Sequence, residues 1–241
     1  MTKVQAIAEV MKENGGTASL EMIYDRIVKY YPTARDSRKW QEGVRGVLYR
    51  EIRNGRSFKK IGLSIYALTD YNEEKRPGIK DTVKMHSYIE GICVELGNYK
   101  GYKTFSADPS AVYRDRLQIK NFTTLSDIPQ FSYPDIVREV QRIDVVWFNK
   151  TGLAFPQKVF EVVDSVGTLT GAFNRSLQLR NYRTNFCIVA PEKHREKYNQ
   201  TIALETYKAD EERFSFVNYD EIVEYYESTV RNKKLEDRIF C

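Results

Sequence analysis

The stretch RIDVVWFNKTGLAFPQKVFEVVDS, residues 142–165, contains the two apolar runs that determine the predicted fold. RIDVVWF and KVFEVV are rich in β-branched and aromatic residues, and a polar turn with Gly152 joins them. This pattern predicts a hairpin of two buried strands. Each run also contains an acid, Asp144 in the first and Glu161 in the second. Because a carboxylate in an apolar strand is costly unless its charge is compensated, the two acids predict a site for a hard cation such as Mg²⁺.

Length and composition are those of a globular protein. The 241 residues allow one large domain or two smaller ones, and an apolar fraction of 41% with 17 tyrosines argues against disorder. No apolar run approaches the roughly 20 residues of a membrane span, and the first residues lack the apolar core of a signal peptide. The three cysteines, Cys93, Cys187 and Cys241, lie far apart and lack metal-ligand spacing. We therefore expect a cytoplasmic protein that does not contact a membrane.

The excess positive charge is confined to the first third of the chain. The formal net charge is +5, and residues 1–70 contain 13 basic and 8 acidic residues, whereas the remainder contains 25 of each. Such segregation predicts that the first third binds a polyanion.

Residues 1–70 have the pattern of three helices followed by a β-hairpin. Apolar periodicity and end signals predict helices over residues 3–13, 20–31 and 37–54. Thr17 to Ser19 are expected to cap the second helix, and FKKIG and LSIYALTD predict two strands joined at Gly62. This order, together with the ending GLSIYALTD, resembles the small winged-helix domains that are fused to restriction-type nucleases.

Nine basic side chains near the third helix and the hairpin are the candidates for contact with DNA. They are Arg35, Arg38, Lys39, Arg45, Arg50, Arg53, Arg56, Lys59 and Lys60. Several of them are able to reach phosphates while the start of the third helix approaches the major groove. The alternative is a solvated helix face on a module for protein contacts. The segregation of charge favours DNA binding.

Residues 82–241 predict an α/β domain that follows a polar linker at 71–81. The order of predicted elements is helix, strand, strand, strand, helix, strand, helix, strand, helix. This order gives a mixed central sheet flanked by helices. The first helix is predicted over residues 82–101, and residues 106–135 have the turn-rich composition of a long irregular segment.

The acids of this domain are arranged in an order that resembles the PD-(D/E)xK nuclease superfamily, to which many restriction enzymes belong. In that family an acid on a helix precedes the sheet, an Asp lies on the second strand and a D/E-x-K triplet lies on the third. The corresponding residues here are Glu95, Asp144 and Glu161, and Glu90 on the same helix is an alternative to Glu95. Gln178-Leu179-Arg180-Asn181-Tyr182 also matches a Q-h-x-x-Y motif that part of the family carries on the next helix.

The resemblance implies a restriction-endonuclease-like fold and a Mg²⁺-dependent endonuclease that hydrolyses double-stranded DNA. Asp144 and Glu161 are expected to hold the Mg²⁺ ion, and Glu95 is expected to hold a second ion or to bind the first through water. Gln178 and Tyr182 are expected to position the substrate or the groups around the ion. Because enzymes that cut both strands commonly act as dimers, a homodimer is also expected.

The third position of the catalytic triplet departs from the family pattern, because Val163 stands where the family has lysine or sometimes an acid or glutamine. The family lysine is thought to orient or activate the attacking water, which a valine side chain cannot do. Asp164, Gln178 or Arg175 is a candidate to compensate from nearby. The alternative is a degenerate or inactivated site.

Structural roles for the same residues remain open. Arg142 or Arg175 is able to pair with the buried acids. Pro134–Asp135 matches the literal PD of the superfamily name but lies in turn-like sequence. The two histidines, His86 and His194, lie on polar helical segments and predict neither a zinc site nor a histidine-based relay.

Three functions therefore stand at this point. The first is a two-domain restriction-type endonuclease whose N-terminal domain grips DNA and whose α/β domain cleaves it with Mg²⁺. The second is a non-catalytic DNA-binding regulator that retains a degenerate nuclease fold, and Val163 is its main support. The third, a protein-interaction module, is disfavoured by the basic third helix.

Overall fold

The computed structural model describes residues 1–63, 65–71, 85–113 and 117–240. The chain divides into two compact units, Met1–Asp81 and Thr82–Cys241. The predicted linker at 71–81 lies, apart from Tyr71, outside the described residues. Among the helices that are described, none is both long and apolar enough to span a bilayer.

The first unit combines three α-helices with a three-stranded antiparallel sheet. Its elements in chain order are α1 (Lys3–Glu13), β1 (Thr17–Ser19), α2 (Leu20–Tyr30), a 3₁₀ turn (Pro32–Arg35), α3 (Trp40–Arg53), β2 (Phe58–Lys60) and β3 (Ile65–Leu68). Strand β3 lies between β1 and β2. Ile7, Ile23, Ile27 and Leu48, which come from the three helices, are buried in one apolar core. The three predicted helices and the predicted hairpin are confirmed.

Two details of the first unit differ from the prediction. Thr17–Ser19 is predicted only as a helix cap, whereas its backbone also forms a strand that pairs with β3. Ser19 still caps α2, because its Oγ accepts a hydrogen bond from the backbone N–H of Met22 at 3.1 Å. Helix α3 begins at Trp40 instead of near Ser37. The Ser37 hydroxyl and carbonyl accept backbone bonds from the next residues, which favours a turn over a helix there.

The second unit is a five-stranded mixed sheet flanked by helices. Its elements are α4 (Met85–Tyr99), β4 (Lys103–Ser106), α5 (Pro134–Val140), β5 (Val145–Phe148), β6 (Pro156–Val162), α6 (Leu169–Leu177), β7 (Asn185–Ala190), α7 (Arg195–Ile202), α8 (Glu205–Lys208), β8 (Phe214–Asn218) and α9 (Tyr219–Phe240). The strand order is β4-β5-β6-β7-β8. The first two pairings, β4 with β5 and β5 with β6, are antiparallel, and the last two are parallel. The predicted mixed α/β architecture and the central hairpin are confirmed.

Three helices of the second unit differ from the prediction. Helix α5 begins at Pro134 within the predicted irregular segment, because proline suits the first position of a helix and Asp135 suits its first turn. The helix predicted after the hairpin ends at Leu177, before the sequence pattern does. The guanidinium of Arg213 donates to the backbone carbonyls of Leu179, Tyr182 and Thr184, among others, and so stabilises a non-helical turn there. The helix predicted after β7 is divided into α7 and α8.

Two glycines allow α4 to lie close against its neighbours. A Cβ atom on Gly91 would lie 2.2 Å from Cδ2 of Tyr113, and one on Gly97 would lie 2.6 Å from Nε1 of Trp147. Nε1 of Trp147 donates a hydrogen bond to the carbonyl of Cys93 at 3.0 Å, which joins β5 to α4. These contacts fix the position of α4 along its axis and its rotation about that axis. They therefore determine which of its side chains reach the end of β5.

Candidate active site

Asp144 and Glu161 are placed by the ends of neighbouring strands. Asp144 immediately precedes β5, and its Oδ2 accepts a hydrogen bond from the backbone N–H of Val162 at 2.7 Å. Glu161 is the penultimate residue of β6 and is fully buried. Burial raises the pKa of Asp144, and the Val162 N–H opposes that effect. Two carboxylates that the sequence placed on adjacent strands thus lie at the same end of the hairpin.

Arg175 of α6 neutralises Glu161. Its Nε lies 2.8 Å from Oε1 and its Nη2 lies 2.5 Å from Oε2, so both carboxylate oxygens are engaged by one guanidinium. The pKa of Glu161 is raised to about 8, chiefly by burial; the hydrogen bond from Arg175 opposes this rise, and the nearby Asp144 charge adds to it. Of the two arginines considered from the sequence, Arg175 is therefore the partner of a buried acid, whereas Arg142 lies beside Glu139.

Glu90 of α4 is the helix acid that lies beside Asp144. Glu90 is 1% exposed, and none of the described residues forms a hydrogen bond with its Oε2 atom. Burial raises the pKa of Glu90 above its ordinary value. This carboxylate forms a cluster with His86 and Asp144: each of the three residues offers one ligand atom, and these atoms lie within 4.8 Å of one another. This spacing is small enough for a single cation to be shared.

His86 provides positive charge to this cluster. Its Nε2 lies 3.5 Å from Glu90 Oε1 and 3.9 Å from Asp144 Oδ1, and its Nδ1 lies 3.5 Å from Asp164 Oδ2. The interaction with Glu90 raises the pKa of His86 to about 9, against the effect of burial, and the charges of Asp144 and Asp164 act in the same direction as Glu90. The hydroxyl of Tyr219 donates to the other oxygen of Asp164.

Sequence reasoning missed His86. Its helix segment has a polar sequence, which predicted neither a zinc site nor a histidine-based relay and gave His86 no role. The sequence does contain one signal that could have revealed His86. It lies four residues before Glu90, and residues four apart lie on one face of a helix. Asp164, which the sequence analysis named only as a compensating residue, lies at the second nitrogen of the same imidazole.

Glu95, the favoured helix acid of the sequence analysis, lies elsewhere. It is fully buried, and its Oε2 accepts hydrogen bonds from the hydroxyls of Tyr113 at 3.1 Å and Tyr226 at 2.8 Å. Five residues along a helix correspond to a rotation of about 140°, so Glu90 and Glu95 point in different directions. Glu95 joins α4 to α9 and to the segment after β4, and the candidate site takes its helix acid from Glu90.

The remaining predicted site residues stand apart from the acidic cluster. Val163 is buried in the apolar core, and its backbone N–H donates to the carbonyl of Val189 at 2.9 Å. Gln178 is exposed at the C-terminus of α6, where its amide donates to the carbonyl of Asn174. Tyr182 lies in the turn beyond that helix and donates to Ser132. Asp135 of the literal PD pair is highly exposed and pairs with Arg138.

A family model identifies this second unit. The model of the type II restriction enzyme NmeDI C-terminal domain matches residues 68–238, more than two thirds of the chain. The chain belongs to this family. No curated protein and no solved structure matches it. The family agrees with the resemblance to restriction-type nucleases, and most of the first unit lies outside the matched range.

The nine basic candidates of the first unit divide by exposure. Arg35, Arg38, Lys39, Arg45, Arg50, Arg53 and Arg56 are exposed, and Lys59 and Lys60 are partly buried. Arg35 also has a structural role, since it donates to the carbonyl of Tyr24 and stacks over Trp40. Lys59 donates to the carbonyl of Tyr71. The exposed side chains of α3, Arg45, Arg50 and Arg53, therefore remain the strongest candidates for contact with DNA.

The different environments of Glu95 and Glu90 generate a stability prediction. Glu95→Ala should lower the free energy of unfolding by about 2–3 kcal/mol, because two buried tyrosine hydroxyls lose their acceptor. Glu90→Gln should change it by less than about 1 kcal/mol, because the loss of the His86 interaction is offset by removal of a buried charge. Urea unfolding in EDTA, followed by tryptophan fluorescence in a Trp40→Phe background, reports on Trp147 and hence on the second unit.

Glu95→Gln is the matched control, because it retains an acceptor oxygen and should lose less stability than Glu95→Ala. Equal destabilisation by Glu90→Gln and Glu95→Ala would contradict the assignment of a structural role to Glu95 alone.

Proposed function

We propose that the protein is an endonuclease that hydrolyses phosphodiester bonds in double-stranded DNA with a divalent cation of the Mg²⁺ type. The observation that carries this proposal is the buried Glu90 carboxylate, which lies close to Asp144 in a chain of a restriction-enzyme family. None of the described residues forms a hydrogen bond with its Oε2. A buried carboxylate oxygen without a donor is costly in water-free surroundings, and a bound cation removes that cost.

The donor set fits a divalent cation. Glu90 and Asp144 offer carboxylate oxygens from a helix and a strand end, and Glu161 offers a third from the neighbouring strand. Within the described part of the chain, His86 lies beside Glu90 and Asp144, and Arg175 pairs with Glu161. We propose that these two side chains compensate the negative charge that a cation would otherwise neutralise.

The positions of the acids support assignment to the PD-(D/E)xK superfamily. Glu90 lies on the helix that precedes the sheet, Asp144 at the start of the second strand and Glu161 on the third strand. This is the order that the superfamily requires, with Glu90 in the place that the sequence analysis gave to Glu95. The antiparallel hairpin followed by parallel strands supports the restriction-endonuclease-like fold in the same way.

The chemistry follows from the charges at this end of the sheet. A cation bound here would polarise the scissile phosphate and lower the pKa of the attacking water. Glu90 and Asp144 would hold that cation from two elements that are joined by the hydrogen bond between Trp147 and Cys93. Arg175 is partly exposed, so its guanidinium would be able to contact a phosphate oxygen of a bound substrate.

A DNA-binding regulator is the second candidate, and Val163 is the observation that favours it. The side chain at this position is 1% exposed and packs in the apolar core, so the water-activating lysine of the superfamily has no direct counterpart. Such a protein would bind DNA through the first unit and leave the phosphodiester bond intact.

Cleavage of supercoiled plasmid separates the two candidates. Wild-type protein with Mg²⁺ or Mn²⁺ should convert plasmid to nicked or linear forms, and EDTA should abolish the reaction. Asp144→Asn and Glu90→Gln should each reduce the rate at least about 100-fold, because removing a group that stabilises transition-state charge costs several kcal/mol. Glu95→Gln is the control and should retain most of the activity once its folding has been verified.

Absence of cleavage by every version of the protein, with DNA still bound in a gel shift, would overturn the nuclease and support the regulator. Cleavage that survives both Asp144→Asn and Glu90→Gln would show that the active site lies elsewhere.

For the first unit we propose a winged-helix DNA-binding domain. Three helices and a three-stranded antiparallel sheet support this assignment, as does the exposed basic face of α3. Arg45 and Arg53 of this helix are exposed, whereas its Val44 and Leu48 are buried. We further propose that a homodimer cuts both strands, because one such centre acts on one strand.

The contribution of α3 is testable through the salt dependence of binding. The double variant Arg45→Ala/Arg53→Ala should weaken DNA binding, and the slope of log K against log[salt] should become shallower by about 2, since each lost phosphate contact removes about 0.9. Lys12→Ala on α1 is the control, because Lys12 is exposed but pairs with Glu9. Fluorescence anisotropy of a labelled duplex at several salt concentrations measures both effects. An unchanged slope in the double variant would exclude this face from the interface.

A further inference from the structure

His86 and Glu90 present an imidazole and a carboxylate from one turn of α4 to Asp144. The distances from His86 Nε2 to Glu90 Oε1 and Asp144 Oδ1 are 3.5 and 3.9 Å. Two ligands about 2.1 Å from one octahedral cation are about 3.0 Å apart when adjacent and about 4.2 Å apart when opposite. Both distances fall between these two values, and one ligand atom of each side chain lies within 4.8 Å of the other two. Small side-chain movements would therefore bring all three side chains to a single ion.

Asp164 occupies the place of an orienting group behind the imidazole. Its Oδ2 lies 3.5 Å from His86 Nδ1, and the hydroxyl of Tyr219 donates to its other oxygen. Histidines that bind metals commonly donate the remaining ring N–H to a carboxylate, which fixes the tautomer and the orientation of the ring. With Nδ1 directed at Asp164, Nε2 is the nitrogen that faces Glu90 and Asp144.

We infer that His86 is a metal ligand, and that it makes this centre selective for borderline transition-metal cations such as Co²⁺ over Mg²⁺. The inference rests on the cation site of the proposed function and adds a nitrogen ligand to it. Besides the spacing of the three side chains, the burial of Glu90 independently points to a bound cation. Glu90 is 1% exposed, and none of the described residues forms a hydrogen bond with its Oε2. Binding releases the proton of Nε2 to solvent and leaves its lone pair on the cation.

The selectivity follows from the chemistry of the donors. Carboxylate oxygen and water suit Mg²⁺, whereas imidazole suits the first-row transition metals. If Mg²⁺ is bound by oxygen ligands alone, removal of the imidazole changes its affinity little. A transition-metal cation that is bound by both oxygen and the imidazole nitrogen loses affinity when the imidazole is removed. The dependence on His86 therefore differs between the two classes of cation, and this difference is what an experiment must measure.

Binding of Co²⁺ and of Mg²⁺ to the full chain, measured by calorimetry, tests the inference. His86→Ala should weaken Co²⁺ binding at least about tenfold and change Mg²⁺ binding less than about threefold, which alters the ratio of the two affinities. The visible absorption bands of bound Co²⁺ should also change in His86→Ala. Asp164→Asn should weaken Co²⁺ binding by about tenfold, within the range found for groups that orient a ligand.

Two variants control for indirect effects. Ser87→Ala perturbs the same turn of α4 and should leave both affinities unchanged. His194→Gln removes the only other histidine of the chain and should leave the Co²⁺ spectrum unchanged. Unaltered Co²⁺ affinity in His86→Ala, or an equal loss of Co²⁺ and Mg²⁺ affinity, would overturn the assignment of His86 as a ligand.

Failure of this inference is distinguishable from failure of the proposed nuclease. If cleavage requires Glu90 and Asp144 but His86→Ala binds Co²⁺ as tightly as wild type, the proposed nuclease function stands and His86 is not a metal ligand. Co²⁺ binding that requires His86, without cleavage of any DNA, supports the ligand and rejects the nuclease.

Discussion

The burial of Glu90 and Glu161 beside Asp144 is the constraint on which the rest of the second unit depends. Each carboxylate loses water on folding, and charge removed from water is unfavourable unless it is paired. The chain provides a bidentate guanidinium for Glu161, a backbone N–H for Asp144 and an imidazole for Glu90. Even so, one oxygen of Glu90 has no hydrogen-bond partner among the described residues. Such an arrangement is expensive for a structural cluster and is suited to a cation.

The position of α4 connects this cluster to the fold. Gly91 and Gly97 leave no room for a Cβ, so the helix lies directly against Tyr113 and Trp147. The bond from Trp147 to the Cys93 carbonyl holds the helix against β5, and the bonds from Tyr113 and Tyr226 to Glu95 hold it against the segment after β4 and against α9. The rotation of α4 that buries Glu95 as a structural acceptor is the same rotation that brings His86 and Glu90 to the end of β5. One helix thus has a packing acid and a candidate ligand acid, five residues apart.

The sequence predicts the strand acids better than the helix acid, for a physical reason. Asp144 and Glu161 lie in strongly apolar runs, and neighbouring strands of a hairpin necessarily bring such residues together. The choice between Glu90 and Glu95 depends on the rotation of α4, which packing against residues far along the chain decides. His86 and Asp164 come together only in the folded unit, and the end of α6 is set by Arg213, about 30 residues away along the chain. Local patterns carry no signal for these long-range contacts.

A crystal structure of the protein soaked with Mn²⁺, using the anomalous signal of the ion, tests the central claim most directly. The account predicts an anomalous peak within about 2.0–2.4 Å of carboxylate oxygens from both Glu90 and Asp144. It also predicts that Nε2 of His86 is directed at the same peak. A saturating soak that leaves no peak between Glu90 and Asp144, with their side chains in the arrangement described, would contradict the claim that this cluster is a metal centre.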